Sequence, residues 1–200
     1  IREGSHLAEA YASVGGGACI LEGFVPFQRE VSVIGARGLD GSFAAYDVCE
    51  NEHANHILSR TIVPAHAGAR TQQTAIDMAG RIAAALDYVG VITVEMFLVE
   101  ETSGERIVVN EIAPRVHNSG HWTIDGAVTS QFEQHVRAIC GWPLGAPTRH
   151  GRIEMHNLIG AQANDWATLL AEPNVALHLY GKHEAREGRK MGHWTRVFPE

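Results

Sequence analysis

Two glutamates attract attention first, because each interrupts an apolar segment that reads as a β-strand. Glu95 lies within residues 91–98, and Glu111 lies near the start of residues 110–123, after a turn-like segment that ends in glycine. A three-residue hairpin loop formed by residues 102–104 would place the two glutamates directly opposite each other. Facing carboxylates repel, and burial raises that cost. A hard cation such as Mg²⁺ relieves it, because Mg²⁺ prefers oxygen ligands and can bridge carboxylates to substrate phosphates.

The alternative is that one glutamate points to solvent, since a register slip of one residue would separate the pair. The loop after Glu111 favours a site for an anion. Arg115 carries a planar guanidinium that suits a carboxylate or bicarbonate, and His117, Asn118 and His121 follow it. The same polar side chains could instead only tie the loop to itself. The residues alone leave these two interpretations equally open.

A second candidate site is the apolar segment that ends at Glu30. Residues 22–25 could offer backbone N–H and C=O groups to a purine edge, and the carboxylate of Glu30 could bind ribose hydroxyls. The other interpretation, a plain buried strand with exposed acids, is the one that these residues alone favour. The glycines at 15–17 lack the lysine and hydroxyl of a P-loop and read as a helix C-cap.

Four basic side chains lie close together near the end of an otherwise acidic chain: Lys182, Arg186, Arg189 and Lys190. Such a cluster could hold a phosphate monoester through charge-assisted hydrogen bonds. It could equally be a solvated basic face, which is the commoner outcome for a run of like charges.

Composition limits the class of protein. The chain has 200 residues, 45% apolar and 20% charged, which is typical of a soluble globular protein with one or two domains. A formal net charge of −7 argues against a general nucleic-acid surface. Three widely spaced cysteines form neither a disulfide framework nor a zinc pattern, so a cytoplasmic location is expected. Nothing in the sequence indicates a membrane span or a signal peptide.

The elements that position these residues are predicted to form an α+β fold with a mainly antiparallel sheet. Strands are predicted at residues 18–25, 30–35, 42–48, 91–98, 153–159 and 175–180. Helices are predicted at 7–14, 71–86, 131–140 and 166–170, and residues 49–68 are expected to be irregular. Thr71 is expected to cap one helix, and Ser130 with Glu133 forms a capping box for the next. Pro143 and Pro147 mark a linker ahead of a small β-rich domain.

Taken together, the chain resembles the C-terminal half of the 5-(carboxyamino)imidazole ribonucleotide synthases, ATP-grasp enzymes of purine (IMP) biosynthesis. The stretches that carry the resemblance are ILEGFVPFQREVSVIGARGLDGS, DYVGVITVEMF, NEIAPRVHNSGHWT, SQFEQHVRAI and YGKHEAREGRKMGH. They cover nearly the whole chain from about residue 7. The HNSGHWT continuation is specific, because biotin carboxylases and the formate-dependent glycinamide ribonucleotide transformylase differ just after the Pro-Arg.

The resemblance implies a role for each matching residue. The residues implied to bind ATP are Glu22, Gly23, Phe24, Val25, Glu30, His53, Asn110 and Glu111. Those implied to bind Mg²⁺ are Glu95 and Glu111. The implied catalytic residues at the bicarbonate and imidazole end are Arg115, His117 and Asn118. Those implied to hold the substrate phosphate are Lys182 and Arg189.

The resemblance also implies the reaction. Bicarbonate attacks the γ-phosphate of ATP to give carboxyphosphate and ADP, and the exocyclic amine of aminoimidazole ribonucleotide then takes the carboxyl group. The expected partners are these small molecules and Mg²⁺, with no nucleic acid and no membrane, in a homodimer. Residues 1–145 correspond to the C-terminal part of the ATP-grasp domain, and residues 146–200 to a small β-rich domain.

Parts of the family pattern are missing from this sequence. It contains neither the N-terminal domain nor the glycine-rich loop with lysines that contacts the phosphates, and it begins with Ile1. We therefore expect a fragment of a longer protein that is inactive alone. Two alternatives stay open: another ATP-grasp carboxylate–amine ligase with a different acceptor, and a non-catalytic module with the same fold.

Overall fold

The structure, a computed structural model, describes residues 4–199 (for Ser5 the backbone only). In this part of the chain the strands are β1 (Arg29–Arg37), β2 (Phe43–Ala45), β3 (Cys49–Ala54), β4 (Ile57–Val63), β5 (Gly90–Glu101), β6 (Gly104–Ala113), β7 (Arg152–Ile159), β8 (Val175–Leu179) and β9 (Lys190–Phe198). The α-helices are α1 (Leu7–Ser13), α2 (Ala69–Ala85), α3 (Thr123–Gly126), α4 (Gln131–Ile139) and α5 (Trp166–Leu170). Short 3₁₀ helices are Gly4–His6, Asn118–Gly120 and Gly160–Asp165.

All the strands join one sheet in the order β6-β5-β1-β3-β4-β7-β9-β8, with β2 added beside β1. Its strand pairings are antiparallel, which confirms the predicted α+β class. The sheet passes from the first predicted domain into the second without interruption, because β4 pairs with β7. The predicted boundary at residue 145 remains a prediction.

The hairpin of β5 and β6 pairs the two glutamates as predicted, but its loop and its strand register differ from the prediction. Glu101 pairs with Gly104, so the loop has two residues rather than three, and the positive φ of Gly104 falls at the first residue of β6. A β-bulge at Asn110 then adds the residue that the shorter loop removed, and Glu95 pairs directly with Glu111. The predicted loop is wrong, and the predicted pairing is confirmed.

Residues 18–25 do not form the predicted strand. They have no regular structure, and Ile20 and Phe24 are 79% and 88% exposed. The chain meets the sheet only at β1, where β5 is already paired on both sides, by β1 and by β6. The free edges of the sheet belong to β6 and β8, neither of which is a neighbour of β1, and residues 18–25 pair with no described strand.

Residues 49–68, expected to be irregular, contain the hairpin of β3 and β4. Its turn is Asn55-His56, with φ of 51° and 63°, values typical of a tight hairpin turn. β3 is central and yet polar, because its buried Asn51 finds partners on both neighbouring strands. Its amide nitrogen donates to Ser32 Oγ at 2.9 Å, and its amide oxygen accepts from Thr61 Oγ1 at 3.0 Å. β3 lacks an apolar alternation because its polar side chains are satisfied by neighbouring strands, so the sequence pattern did not predict it.

One face of the sheet is covered by α2, whose small residues Ala75, Ala79 and Ala83 are fully buried. The helix begins at Ala69, with Gly68 at the N-cap position, so Thr71 lies in the first turn. The prediction that Thr71 caps this helix is therefore wrong. Burying three alanines on one stripe brings the helix axis close to the sheet, where Val31, Val94 and other apolar side chains pack against it.

The other face is covered by the segment that includes α3 and α4. Trp122 is fully buried there, edge-on to Tyr46 with ring centroids 5.8 Å apart. Half of the predicted capping box of α4 is confirmed, since Ser130 Oγ accepts from the Glu133 N–H at 3.2 Å. The other half is wrong, because the Glu133 carboxylate accepts from Arg137 instead. No described helix combines the length and apolar character that a bilayer crossing requires.

We expect Cys49 to resist alkylation in the folded protein while Cys19 and Cys140 react. Burial raises the pKa of the Cys49 thiol to about 12, and the other two cysteines are exposed. The thiolate is the reactive form, so the buried thiol should stay unmodified. Peptide mass spectrometry after brief iodoacetamide treatment, with and without urea, measures this. Equal labelling of Cys49 and Cys140 without urea would contradict it.

Candidate active site

A cavity of about 400 Å³ opens where β3, β4 and β5 meet the loop that follows β6. Four of the predicted site residues line it: His53, Glu95, His117 and Asn118. The remaining lining residues are Asn51, His56, Ile57, Leu58, Gly188 and Lys190. The fold thus gathers residues that are far apart in sequence around one polar opening.

Glu95 and His117 are in direct contact in the wall of this cavity. The carboxylate oxygen Oε1 lies 2.9 Å from Nε2 of the imidazole. Because Nδ1 of His117 accepts from the Ser119 N–H at 3.3 Å, the proton is on Nε2, which donates to Glu95. That hydrogen bond lowers the pKa of Glu95, helped by the positive charge of Arg115 and opposed by burial. Glu95 is therefore a carboxylate at neutral pH.

The loop that carries His117 is held by one buried side chain of α4. Gln131 accepts from the His117 N–H at 2.9 Å and donates to the His117 carbonyl at 2.7 Å. Gly120 leaves the room that this contact needs, since a Cβ there would lie 2.7 Å from the Gln131 oxygen. The position of the imidazole is therefore fixed by a helix that itself lies outside the cavity.

Asn118 is oriented by a chain of amide hydrogen bonds. Asn157 donates to the carbonyl of Leu58 at 2.9 Å, which fixes its amide orientation. The two asparagines then exchange hydrogen bonds, with Asn118 Nδ2 donating at 2.9 Å and Asn157 Nδ2 donating at 2.6 Å. The amide of Asn118 consequently presents a defined edge to the cavity.

The two residues implied to meet the ribose and the nucleotide also come together. Glu30 Oε2 lies 2.6 Å from Nδ1 of His53. Both line an adjoining opening of about 530 Å³ with Phe27 and Glu95. Glu30 and His53 thus lie beside Glu95 in one opening.

The residues implied to bind Mg²⁺ fit such an ion chemically. Glu95 and Glu111 are directly paired on neighbouring strands and so project from the same face of the sheet. Asn110, at the bulge, and Glu111 are exposed. Two carboxylates and an amide oxygen are the hard oxygen donors that Mg²⁺ prefers.

Other predicted residues lie apart from this cavity. The segment of Glu22, Gly23, Phe24 and Val25 has no regular structure and lines none of the cavities described above. Arg115 is exposed, and its Nη1 donates to the Val116 carbonyl at 3.1 Å. Its charge still acts on Glu95, whose pKa it helps to lower.

Among the basic residues near the C-terminus, the one that lines the cavity is not one of the two implied to bind the substrate phosphate. Lys182 and Arg189 are exposed and donate to the carbonyls of Lys190 and Glu184, at 2.6 Å and 3.2 Å. Lys190 lines the cavity instead, and burial lowers the pKa of its ammonium group. The sequence named Lys190 in the basic cluster but offered no reason to prefer it, because β9 was not predicted.

Comparison with known proteins agrees with this geometry. Residues 1–132 match the ATP-grasp domain, and residues 154–200 match the phosphoribosylaminoimidazole carboxylase C-terminal domain. N5-carboxyaminoimidazole ribonucleotide synthase of Brucella melitensis is 48% identical over 95% of this chain and 52% of its own length. The Bacillus subtilis protein of the same name is 46% identical over 98% of this chain and 51% of its own.

Solved structures show the same relationship. The N5-carboxyaminoimidazole ribonucleotide synthetase of Thermus thermophilus superimposes with a TM-score of 0.90 at 46% identity, over 99% of this chain and 54% of that one. The Aspergillus clavatus synthase, solved with ADP and 5-aminoimidazole ribonucleotide, gives 0.83 at 36% identity, over 88% and 48%. The chain spans about half the length of these relatives. It belongs to the ATP-grasp family, as the domain matched over residues 1–132 shows.

Proposed function

We propose that this chain supplies one wall of the active site of a full-length N5-carboxyaminoimidazole ribonucleotide synthase. The substrates would be ATP, bicarbonate and 5-aminoimidazole ribonucleotide, with Mg²⁺ as cofactor. The observation that carries the proposal is the direct pairing of Glu95 with Glu111 beside a cavity lined by His117, Asn118 and Lys190. Relatives of the same name match nearly the whole chain, which supports this choice over other ATP-grasp reactions.

The proposed reaction has two transfers. A bicarbonate oxygen attacks the γ-phosphorus of ATP, the bond to the β-phosphate oxygen breaks, and ADP leaves. The exocyclic amine of the ribonucleotide then attacks the carbonyl carbon of carboxyphosphate, phosphate leaves, and the amine loses a proton. When bound, Mg²⁺ would neutralise charge on the phosphates. Phosphoryl transfer of this kind depends on alignment and charge neutralisation rather than on covalent help from the protein.

This chain's own residues suit those tasks. Arg115 makes no ion pair with a carboxylate among the described residues, so its guanidinium is available to hold bicarbonate. Glu30 with His53 would bind the ribose of ATP. His117, with its proton on Nε2 and Glu95 beside it, would orient the acid and donate a hydrogen bond in the cavity. Asn118 would position the imidazole of the acceptor.

The proposal extends to the whole protein. We propose that the full-length protein is a cytoplasmic homodimer, as the resemblance implies. We also propose a domain boundary between residues 145 and 146 of this chain. The relatives are about twice as long, so the phosphate-binding loop and lysines would come from the remainder of the protein. Activity should accordingly be tested on the full-length enzyme.

The acceptor is tested by replacing Lys182 and Arg189 together with alanine in that enzyme. We expect the KM for 5-aminoimidazole ribonucleotide to rise about tenfold or more, because a hydrogen bond to a charged group contributes about 1.5–3 kcal/mol. The KM for ATP should stay unchanged in steady-state kinetics. Arg186→Ala is the matched control, since Arg186 donates to Glu184 at 2.7 Å in the same segment. An unchanged acceptor KM in the double variant would favour another carboxylate–amine ligase.

A further inference from the structure

A group of histidines and one aspartate lies at the other end of the sheet, where α3 packs against β9. His178 on β8 and His193 on β9 are directly paired, and their rings stack with centroids 4.7 Å apart. Asp125 of α3 approaches the same place, its Oδ2 lying 2.8 Å from His178 Nε2. Ligand-capable atoms of the three residues all lie within 4.8 Å of one another. The group lies on different strands from Glu95 and Glu111, and the proposed carboxylation does not use it.

His193 has one nitrogen without a partner in this group. The residue is only 1% exposed, its Nδ1 contacts the Tyr180 hydroxyl at 2.8 Å, and its Nε2 makes no hydrogen bond to a described residue. Buried polar atoms are almost always satisfied, so an unpaired ring nitrogen calls for a physical reason. If His193 Nε2 carries a lone pair, a metal ion or a hydrogen-bond donor could satisfy it. If it carries a proton, only an acceptor could.

The neighbouring hydrogen bonds decide this. Asn118, oriented as described above, directs its second amide hydrogen to Nδ1 of His121 at 3.4 Å, so that nitrogen is an acceptor. The Tyr180 hydroxyl lies 3.0 Å from the same nitrogen and donates to it. Because the Tyr180 hydroxyl donates its only proton to His121, its oxygen must accept from Nδ1 of His193, which lies 2.8 Å away. The proton of His193 is therefore on Nδ1, and Nε2 carries a free lone pair.

We propose that Asp125, His178 and His193 bind a divalent transition-metal ion of the Zn²⁺ class. Two imidazole nitrogens and one carboxylate oxygen form a common three-ligand set for zinc, with water in the fourth position. The Tyr180 hydroxyl accepts from Nδ1 of His193 and so fixes the tautomer in which Nε2 can bind the ion.

Binding changes one hydrogen bond in the group. The proton shared between His178 Nε2 and Asp125 Oδ2 leaves to solvent, and the ion takes its place between the two atoms. The two rings are nearly parallel, at 16°, so their lone pairs do not converge until one ring tilts. His178 is the ring that moves, because its side chain is 34% exposed while His193 is enclosed.

Co²⁺ titration of the full-length protein, stripped with a chelator and kept in excess Mg²⁺, tests the proposal without measuring activity. We expect saturable 1:1 binding with the visible absorption of tetrahedral Co²⁺, displaced by Zn²⁺. Asp125→Asn and His178→Gln change partly exposed side chains, and each should weaken binding at least tenfold. Thermal melting without metal confirms that both variants are folded.

His66→Ala is the matched control, because His66 also pairs with a carboxylate, Glu50 at 2.9 Å, but outside this group. It should bind Co²⁺ as the unchanged protein does. The proposal is overturned if the unchanged protein shows no stoichiometric binding. It is also overturned if Asp125→Asn and His178→Gln bind as tightly as the unchanged protein, or if His66→Ala loses binding equally.

Discussion

Glu111→Gln should lower the rate of ATP-dependent carboxylation by the full-length enzyme about 10²–10³-fold, the loss typical when one preorganised charge-stabilising group is removed. The glutamine keeps the shape of the side chain and removes one of the two negative charges that face each other across β5 and β6. Because Glu111 is exposed, the free energy of unfolding should hardly change. Coupled-enzyme assays of ADP release over a range of Mg²⁺ concentrations measure the rate.

The comparison variant is Glu101→Gln, in the same hairpin. Glu101 Oε1 accepts from Arg106 Nε at 2.5 Å on the exposed end of the strand pair, away from the cavity. Glu101→Gln removes one negative charge, as Glu111→Gln does, and should leave the carboxylation rate nearly unchanged. If Glu111→Gln also retained its rate, the catalytic assignment of the acid pair would be excluded, and a non-catalytic module would become the better interpretation.

Gln131→Leu should both destabilise the protein and inactivate the enzyme. It removes the double hydrogen bond to the backbone of His117 and leaves one N–H and one C=O without a partner. Two such groups, partly reached by water, cost roughly 2–4 kcal/mol of unfolding free energy. The loop then loses the contact that holds His117 beside Glu95, so the rate per folded molecule falls as well.

A second glutamine of the same helix separates the two effects. Gln134 is also fully buried and makes the same double hydrogen bond, to the N–H and C=O of Gly145, at 2.8 Å and 2.7 Å. Gln134→Leu should lower stability by a similar amount in urea denaturation while the rate per folded molecule is retained. Equal loss of rate in the two variants would show that Gln131 acts only through stability.

The acid pair illustrates how far sequence reasoning reaches. The strands around Glu95 and Glu111 were predictable because their apolar runs are long and bounded by a turn. Their pairing was predicted correctly although the loop was not, since the shorter loop and the bulge at Asn110 offset each other. A bulge depends on contacts across strands, so no local pattern in β6 announces it.

Other parts of the site depend on tertiary contacts that leave no local signal. β3 was missed because Asn51 is satisfied by side chains of neighbouring strands rather than by apolar packing. Lys190 was not singled out because its burial follows from the position of β9 beside β7. Gln131 lies in a correctly predicted helix, but its contacts with the His117 backbone depend on the tertiary fold. Side-chain partners, rather than residue types, determine these positions.

The pairing of β4 with β7 has a consequence for the inheritance of this protein. Three residue pairs, from Arg60 with His156 to Ile62 with Glu154, join the two segments that match separate domain families. Arg60 also reaches across to Glu154, with Nη2 and Oε1 3.0 Å apart. A hybrid taking each segment from a different ancestor would have to rebuild this seam, or leave two raw strand edges prone to association. The two segments are therefore joined by one continuous sheet and depend on each other for backbone pairing.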